Sequence, residues 1–224
     1  MITLPKFRDI KLFEQAFTHR SYLNEIRPLR RGEQKISSNE RLEFLGDSIL
    51  SFVVSLYLFK KYPDFKEGTL TNLRSLLVNT KSLSNIAHQL NFGKLLKLSK
   101  GEEESKGREN ESLLENSFEA FIGALYIDQD IQAVSDFLEK VLLYKSDALV
   151  QKKEFKDPKS LLQEKIQAKK QNSPVYKVIE EIGPAHEKSF TVGVYVENKI
   201  LGKGSGRSKQ AAEENAAKQG LEKI

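Results

Sequence analysis

The chain has no cysteine. That excludes disulfides and thiolate metal sites, and it fits a reducing cytoplasm. No uninterrupted apolar run reaches the roughly 18 residues that a membrane span needs, so no membrane partner is expected. The first ten residues include Pro5, Lys6, Arg8 and Asp9, which break up the apolar core a secretory signal requires. Only three histidines occur, widely spaced, so a metal site here would rest on oxygen ligands.

What is present suits a globular protein. The 224 residues are 39% hydrophobic and 30% charged, enough for one large or two modest domains. Net charge is +5 with a pI near 9.1. Most of the excess lies at one end: residues 156–224 carry 13 Lys and Arg against 9 Asp and Glu, and residues 1–155 carry 23 against 22. A mild basic bias suits a polyanionic partner without naming one.

Residues 1–145 read as almost entirely helical. The pattern predicts a short helix over 11–17, a polar and basic loop over 27–38, and a long helix from about Asn39 to Lys61 ended by Pro63. Ser37 and Glu40 have capping-box spacing, and Asn39 is an equal candidate for the N-cap. Further helices are expected over 69–79, 80–90, 111–127 and 130–145, with 99–110 an exposed charged loop. Residues 146–158 read as a linker. Beyond it the pattern predicts a helix over 158–170, strands over 175–182, 189–197 and 199–203 with a tight turn at Asn198, and an alanine-rich helix over 207–223. The glycines from 202 to 206 read as a turn before that helix. No internal repeat is present.

Residues 39–48, Asn-Glu-Arg-Leu-Glu-Phe-Leu-Gly-Asp-Ser, are the most informative stretch. Glu40, Glu43 and Asp47 fall on one helix face at i, i+3 and i+7, beside an apolar set of Leu42, Leu45, Ile49, Phe52, Val53 and Leu56. A row of carboxylates repels itself, so its presence suggests a hard divalent cation. The 111–127 helix offers Asn116 and Glu119 at i, i+3, and Glu115 and Glu119 at i, i+4. Glu119 stands in an otherwise apolar run, where an unpaired carboxylate is costly. Gly123 leaves room for another helix. Carboxylates that hold Mg²⁺ suit phosphodiester hydrolysis, because the attacking water must lose a proton and the developing charge must be stabilised.

These motifs closely resemble the ribonuclease III family, whose members cleave double-stranded RNA. The resemblance covers the whole chain: the 39–48 signature, Thr-His-Arg-Ser-Tyr at 18–22, and Glu-Ala-Phe-Ile-Gly-Ala-Leu-Tyr at 119–126. The α-β-β-β-α order of the second half is similar to the double-stranded RNA-binding domain. The resemblance implies an all-α catalytic domain over 1–150, a linker over 151–155 and an α+β RNA-binding domain over 156–224. It implies Asp47 and Glu119 as catalytic residues and Glu43, Asn116 and Glu119 as metal ligands. Mg²⁺ is the expected metal, with Mn²⁺ as a substitute. The family usually has aspartate where Asn116 stands, so weaker metal binding is expected. The alternative is an RNA-binding protein that lost turnover through Asn116. Glu115 could replace the lost charge but points roughly 100° away around the helix.

A homodimer is also implied, with Phe44 in its interface and each subunit cutting one strand. RNA contacts are implied for Glu40; for Gln163, Glu164 and Gln167 on the 158–170 helix; for His186 in the Gly-Pro-Ala-His loop; and for Arg207, Ser208 and Lys209 at the start of the last helix. Family members often have a second lysine where Gln210 stands. Processing of ribosomal, messenger and transfer RNA in the cytoplasm is the expected role. His19 reads as a structural residue near a helix end, His88 as a helix-surface residue, and Glu102–Glu104 as solvated loop charge.

Overall fold

The computed structural model describes residues 3–26, 36–152, 158–184 and 188–224. Two compact units emerge, residues 1–155 and 156–224. The first is helical: α1 (Ile10–Ala16), a 3-10 turn (Arg20–Asn24), α2 (Glu40–Lys61), α3 (Glu67–Leu77), α4 (Thr80–Gln89), α5 (Phe92–Leu95), α6 (Lys100–Glu104), α7 (Glu111–Asp128), α8 (Ile131–Leu138) and α9 (Lys145–Gln151).

The centre of this unit is the crossing of α2 and α7. Two glycines let the backbones meet. A Cβ on Gly46 would stand 1.7 Å from the Glu119 carbonyl oxygen, and one on Gly123 would stand 2.2 Å from that of Leu42. Around the crossing lies a phenylalanine cluster: Phe17 and Phe92 pack edge to face at 4.9 Å, and Phe121 lies 5.2 Å from Phe137 and 5.4 Å from Phe7. Each such buried ring contributes about 1.5–3 kcal/mol. Helix starts are capped by side-chain oxygens, as with Asn110 accepting from Ser112 and Leu113 and Asp130 from Ala133.

Several expectations for this unit need correction. Residues 99–110 are not a plain loop: α6 is capped by Ser99, a 3-10 turn follows, and Arg108 donates to the carbonyls of Gly93 (2.8 Å) and Leu96 (2.7 Å). The single helix expected over 130–145 contains a π-helical turn (Glu139–Leu143) and then continues as α9 to Gln151. The stretch from 146 is therefore not yet linker. Asp147 accepts from Lys61 (2.7 Å) and Tyr62 (2.9 Å), which ties α9 to the end of α2. Finally, Phe52 and Leu56 are not core. They are 56% and 39% exposed, because the packed side of α2 is carried by Leu42, Ile49, Leu50, Val53, Val54 and Leu58. By length and composition α2 could cross a membrane, but here it is the packed partner of α7.

The second unit contains α10 (Pro158–Ala168), β1 (Val175–Ile182), β2 (Ser189–Val196), β3 (Lys199–Gly206) and α11 (Lys209–Glu222). The sheet is antiparallel in the order β1-β2-β3. Its core joins Leu162 and Ile166 of α10, Val192 and Val194 of β2, and Ala212, Ala216 and Ala217 of α11. Glu197 and Asn198 both have positive φ (49° and 64°), the mark of a type I′ hairpin turn. The expected turn over 202–206 is instead the second half of β3. Its glycines let α11 lie directly on the strand: a Cβ on Gly204 would meet the Ala216 nitrogen at 2.1 Å.

Candidate active site

The first three turns of α2 and the middle of α7 build one cleft of about 560 Å³. Glu43 and Asp47 lie either side of Gly46, so the close crossing sets them facing α7. Asn116 and Glu119 meet them there. Glu40, Phe44, Leu113, Asn39, His19 and Arg20 complete the lining. Residues far apart in sequence are thus gathered by a single helix contact.

The electrostatics of this cleft are unfavourable in the absence of a cation. Glu119 is pushed up to about 8, first by burial and then by the charges of Asp47, Glu115 and Glu43. Glu43 is raised by burial and by Glu40, Glu115 and Asp47, with Arg20 acting against them. Glu115 is raised by burial and by Asp47, while a hydrogen bond from Thr80 of α4 works the other way. Glu115 does not line the cleft, yet its charge reaches Glu43 and Glu119.

Among the described residues, no group of three or more acidic or histidine side chains stands close enough to hold a metal unaided. The donors nonetheless fit a hard divalent ion. Four carboxylates, Glu40, Glu43, Asp47 and Glu119, line one cleft with Asn116, and the Glu119 carboxyl is raised by burial and by neighbouring negative charge that a cation would relieve.

The start of α2 differs from the capping-box expectation. Asn39 occupies the N-cap position but makes no capping bond; it is buried, and its amide donates to the Ala16 carbonyl at 3.4 Å. Ser38, not Ser37, donates to Glu40 at 2.9 Å. Glu40 also pairs with Arg20 at 3.5 Å. His19 caps the 3-10 turn, its Nδ1 accepting from the Ser21 backbone, which agrees with a structural role. Phe44 is 79% exposed.

In the second unit, Gln163, Glu164 and Gln167 are exposed on α10, turned away from buried Leu162 and Ile166. Arg207, Ser208 and Lys209 are exposed at the start of α11, where the Ser208 hydroxyl accepts from Ala211 at 3.1 Å as an N-cap. The Lys209 ammonium lies 5.7 Å from the Phe190 ring centre. Gln210 donates to Glu214 at 3.1 Å. His186 lies outside the described residues.

Sequence reasoning gives Arg20 no role, although it sits inside the Thr-His-Arg-Ser-Tyr motif. It also passes over Thr80 as the anchor of Glu115. The motif is the only signal for the first; nothing local marks the second.

Comparisons with known proteins agree with this architecture. Residues 9–146 match the family described as ribonuclease-III-like, and residues 158–224 match the double-stranded RNA binding motif. Ribonuclease 3 of Streptococcus gordonii is 47% identical over 97% of this chain and 91% of its own length. Ribonuclease 3 of Streptococcus pneumoniae is 48% identical with the same coverage. Among solved structures, the nuclease domain of a ribonuclease III from Campylobacter jejuni matches 63% of this chain and 90% of its own at a TM-score of 0.55 and 37% identity. Dicer from Pichia stipitis matches 100% of this chain and 98% of its own at a TM-score of 0.50 and 30% identity. With a catalytic and an RNA-binding module both matched, the chain belongs to the ribonuclease III family, the divalent-metal-requiring endoribonucleases that cut double-stranded RNA.

Proposed function

We propose that the α2–α7 cleft is the cleaving site and that Mg²⁺ is its metal, with Mn²⁺ able to substitute. The observation that carries this reading is the meeting of Glu43, Asp47, Asn116 and Glu119 in one cleft with Glu119 raised to about 8. Glu43, Asn116 and Glu119 would hold the ion. When bound, Mg²⁺ polarises the scissile phosphate and lowers the pKa of a water. Asp47 and Glu119 orient the attacking water and take its proton. Cleavage leaves a 5′-phosphate and a 3′-hydroxyl. At neutral pH and without a cation, the Glu119 carboxyl keeps its proton, so metal and proton compete for it.

The working unit is a homodimer, each subunit cutting one strand and leaving a short 3′ overhang. Phe44, Phe52, Leu56 and Phe59 support this, being exposed within about 120° of the α2 circumference. A solved nuclease domain from Campylobacter jejuni is described as having a region involved in dimer formation. The catalytic domain spans about 1–150 and the RNA-binding domain about 156–224, joined by 151–155. In the latter, Gln163, Glu164 and Gln167 suit minor-groove hydroxyls, and Arg207, Ser208 and Lys209 suit phosphate. His186 and Glu40 complete the proposed RNA contacts. The enzyme acts in the cytoplasm on ribosomal, messenger and transfer RNA precursors.

Cleavage of a long duplex by wild type and Glu119→Gln across a Mg²⁺ titration tests this. Short duplex products from wild type alone support it. Equal cutting by Glu119→Gln moves the chemistry elsewhere.

A further inference from the structure

Among the described residues lining the acidic cleft, Arg20 is the lone permanent cation, set against Glu40, Glu43, Asp47 and Glu119. An RNA backbone entering such a cleft meets like charge. Arg20 offsets part of that repulsion, and its placement has a specific design. The backbone beneath it is pinned from both sides. His19 N–H donates to the Lys97 carbonyl at 3.1 Å, Lys97 N–H donates to the Phe17 carbonyl at 2.8 Å, and Asn39 N–H donates to the Thr18 carbonyl at 2.8 Å. The next residue, Ser21, accepts from the Ser99 backbone at 3.0 Å. The start of α2 and the 97–99 segment therefore hold the turn that carries Arg20.

The side chain itself is held loosely. It is 73% exposed, and among the described residues its ion pair is with Glu40 at 3.5 Å, itself 53% exposed. An exposed pair of this kind adds little to stability. A rigid base with a weakly held guanidinium makes little sense as a stabilising contact. It makes good sense as a group that changes partners, because guanidinium forms a two-pronged pair with phosphate better than with a distant carboxylate.

We propose that Arg20 is a substrate-positioning residue whose guanidinium gives up its pair with Glu40 and pairs instead with a phosphate of the RNA strand next to the bond being cut. In the free protein Glu40 parks the guanidinium, and once Arg20 moves to the phosphate Glu40 is free for its own proposed RNA contact. The proposal rests on the reading of this cleft as the cleaving site.

The test measures binding and cleavage of one short duplex RNA by the full chain. In a Glu119→Gln background without metal, Arg20→Gln should weaken binding about three- to tenfold and reduce the slope of log affinity against log salt by about one. In the otherwise wild-type enzyme with Mg²⁺, Arg20→Gln should raise KM by a similar factor with kcat nearly unchanged. Arg20→Lys should recover the salt slope and part of the affinity. Lys140→Gln, an exposed substitution outside the cleft that removes the same charge, should move neither quantity. An unchanged salt slope and KM in Arg20→Gln overturns the proposal and leaves Arg20 as a partner of Glu40 only. So does a lost salt slope that Arg20→Lys fails to restore, since that slope reports a positive charge at this position. If Glu119→Gln itself cuts like wild type, the cleft is not the cleaving site and the proposal falls with it, whatever Arg20→Gln does.

Discussion

Gly46 of α2 lies directly on the Glu119 carbonyl of α7, with 1.7 Å between that oxygen and the position a Cβ would occupy. The absence of a side chain at 46 is therefore what allows two acidic helix segments to share a cleft.

Gly46→Ala should force the helices apart. Overpacking costs typically about 1–3 kcal/mol, and a backbone clash this close belongs at or above the upper end. Thermal melting should show that loss together with loss of cleavage. Gly68→Ala on α3 is the control, since nothing lies within 4 Å of a Cβ there. It should be neutral or stabilising by up to about 1 kcal/mol. Two variants of equal stability would mean that the crossing does not depend on Gly46.

The raised Glu119 carboxyl makes a signed prediction for pH. In the native protein without metal it holds its proton up to about 8, whereas the unfolded chain releases it near 4.5. Between those values the native state binds the extra proton, so stability falls as pH rises through the window. Glu43 and Glu115, both raised, act in the same direction. In chelator, the wild-type melting temperature should drop from pH 5 to pH 8 more steeply than that of Glu119→Gln. Parallel curves would mean that Glu119 does not hold this proton. With Mg²⁺, binding below pH 8 should release a proton, which calorimetry in buffers of different ionisation enthalpy can count.

Asn116→Asp should lower the Mg²⁺ concentration for half-maximal cleavage, by roughly three- to tenfold, because it returns one negative charge to the cleft. The same charge should destabilise the metal-free protein at neutral pH. Superimposable Mg²⁺ titrations of variant and wild type would show that the amide oxygen serves as well as a carboxylate. An inactive wild type restored by Asn116→Asp would show that the missing charge matters more than a shift in affinity.

Phe44 is 79% exposed, and the proposed homodimer gives it a place in the interface. Phe44→Ala should keep its melting profile as a monomer and weaken self-association by about 2 kcal/mol, or roughly thirtyfold. Sedimentation over a concentration series reads this directly. An unchanged dimer would place the interface elsewhere on α2 or off it.

Much of the helical framework is legible in the chain's own periodicity. The 3.6-residue repeat of apolar positions locates α2, α3, α4 and α7 within a few residues, since those helices each bury one continuous stripe. The apolar residues at helical spacing on α7, Leu114, Phe118, Phe121, Ile122 and Leu125, are all buried. Periodicity fails where a long-range contact overrides local composition. Residues 146–151 look like linker because nothing local shows that Asp147 reaches Lys61 and Tyr62. Gly202–Gly206 looks like a turn because glycine is a turn former, yet here it makes room for α11.

The identity of the acids is likewise readable, as is the place of each along its helix, because helical spacing converts sequence offsets into angles. Which side of α2 stays exposed is not readable. Phe52 and Leu56 match the apolar stripe as well as Ile49 and Val53 do, and only the position of α7 decides between them. The pinning of Arg20 beside Glu40, and the reach of Glu115 to the cleft through its anchor on Thr80, are tertiary facts of the same kind. Local chemistry prescribes helices, caps and candidate ligands, whereas a shared site depends on where the packed backbones allow those helices to meet.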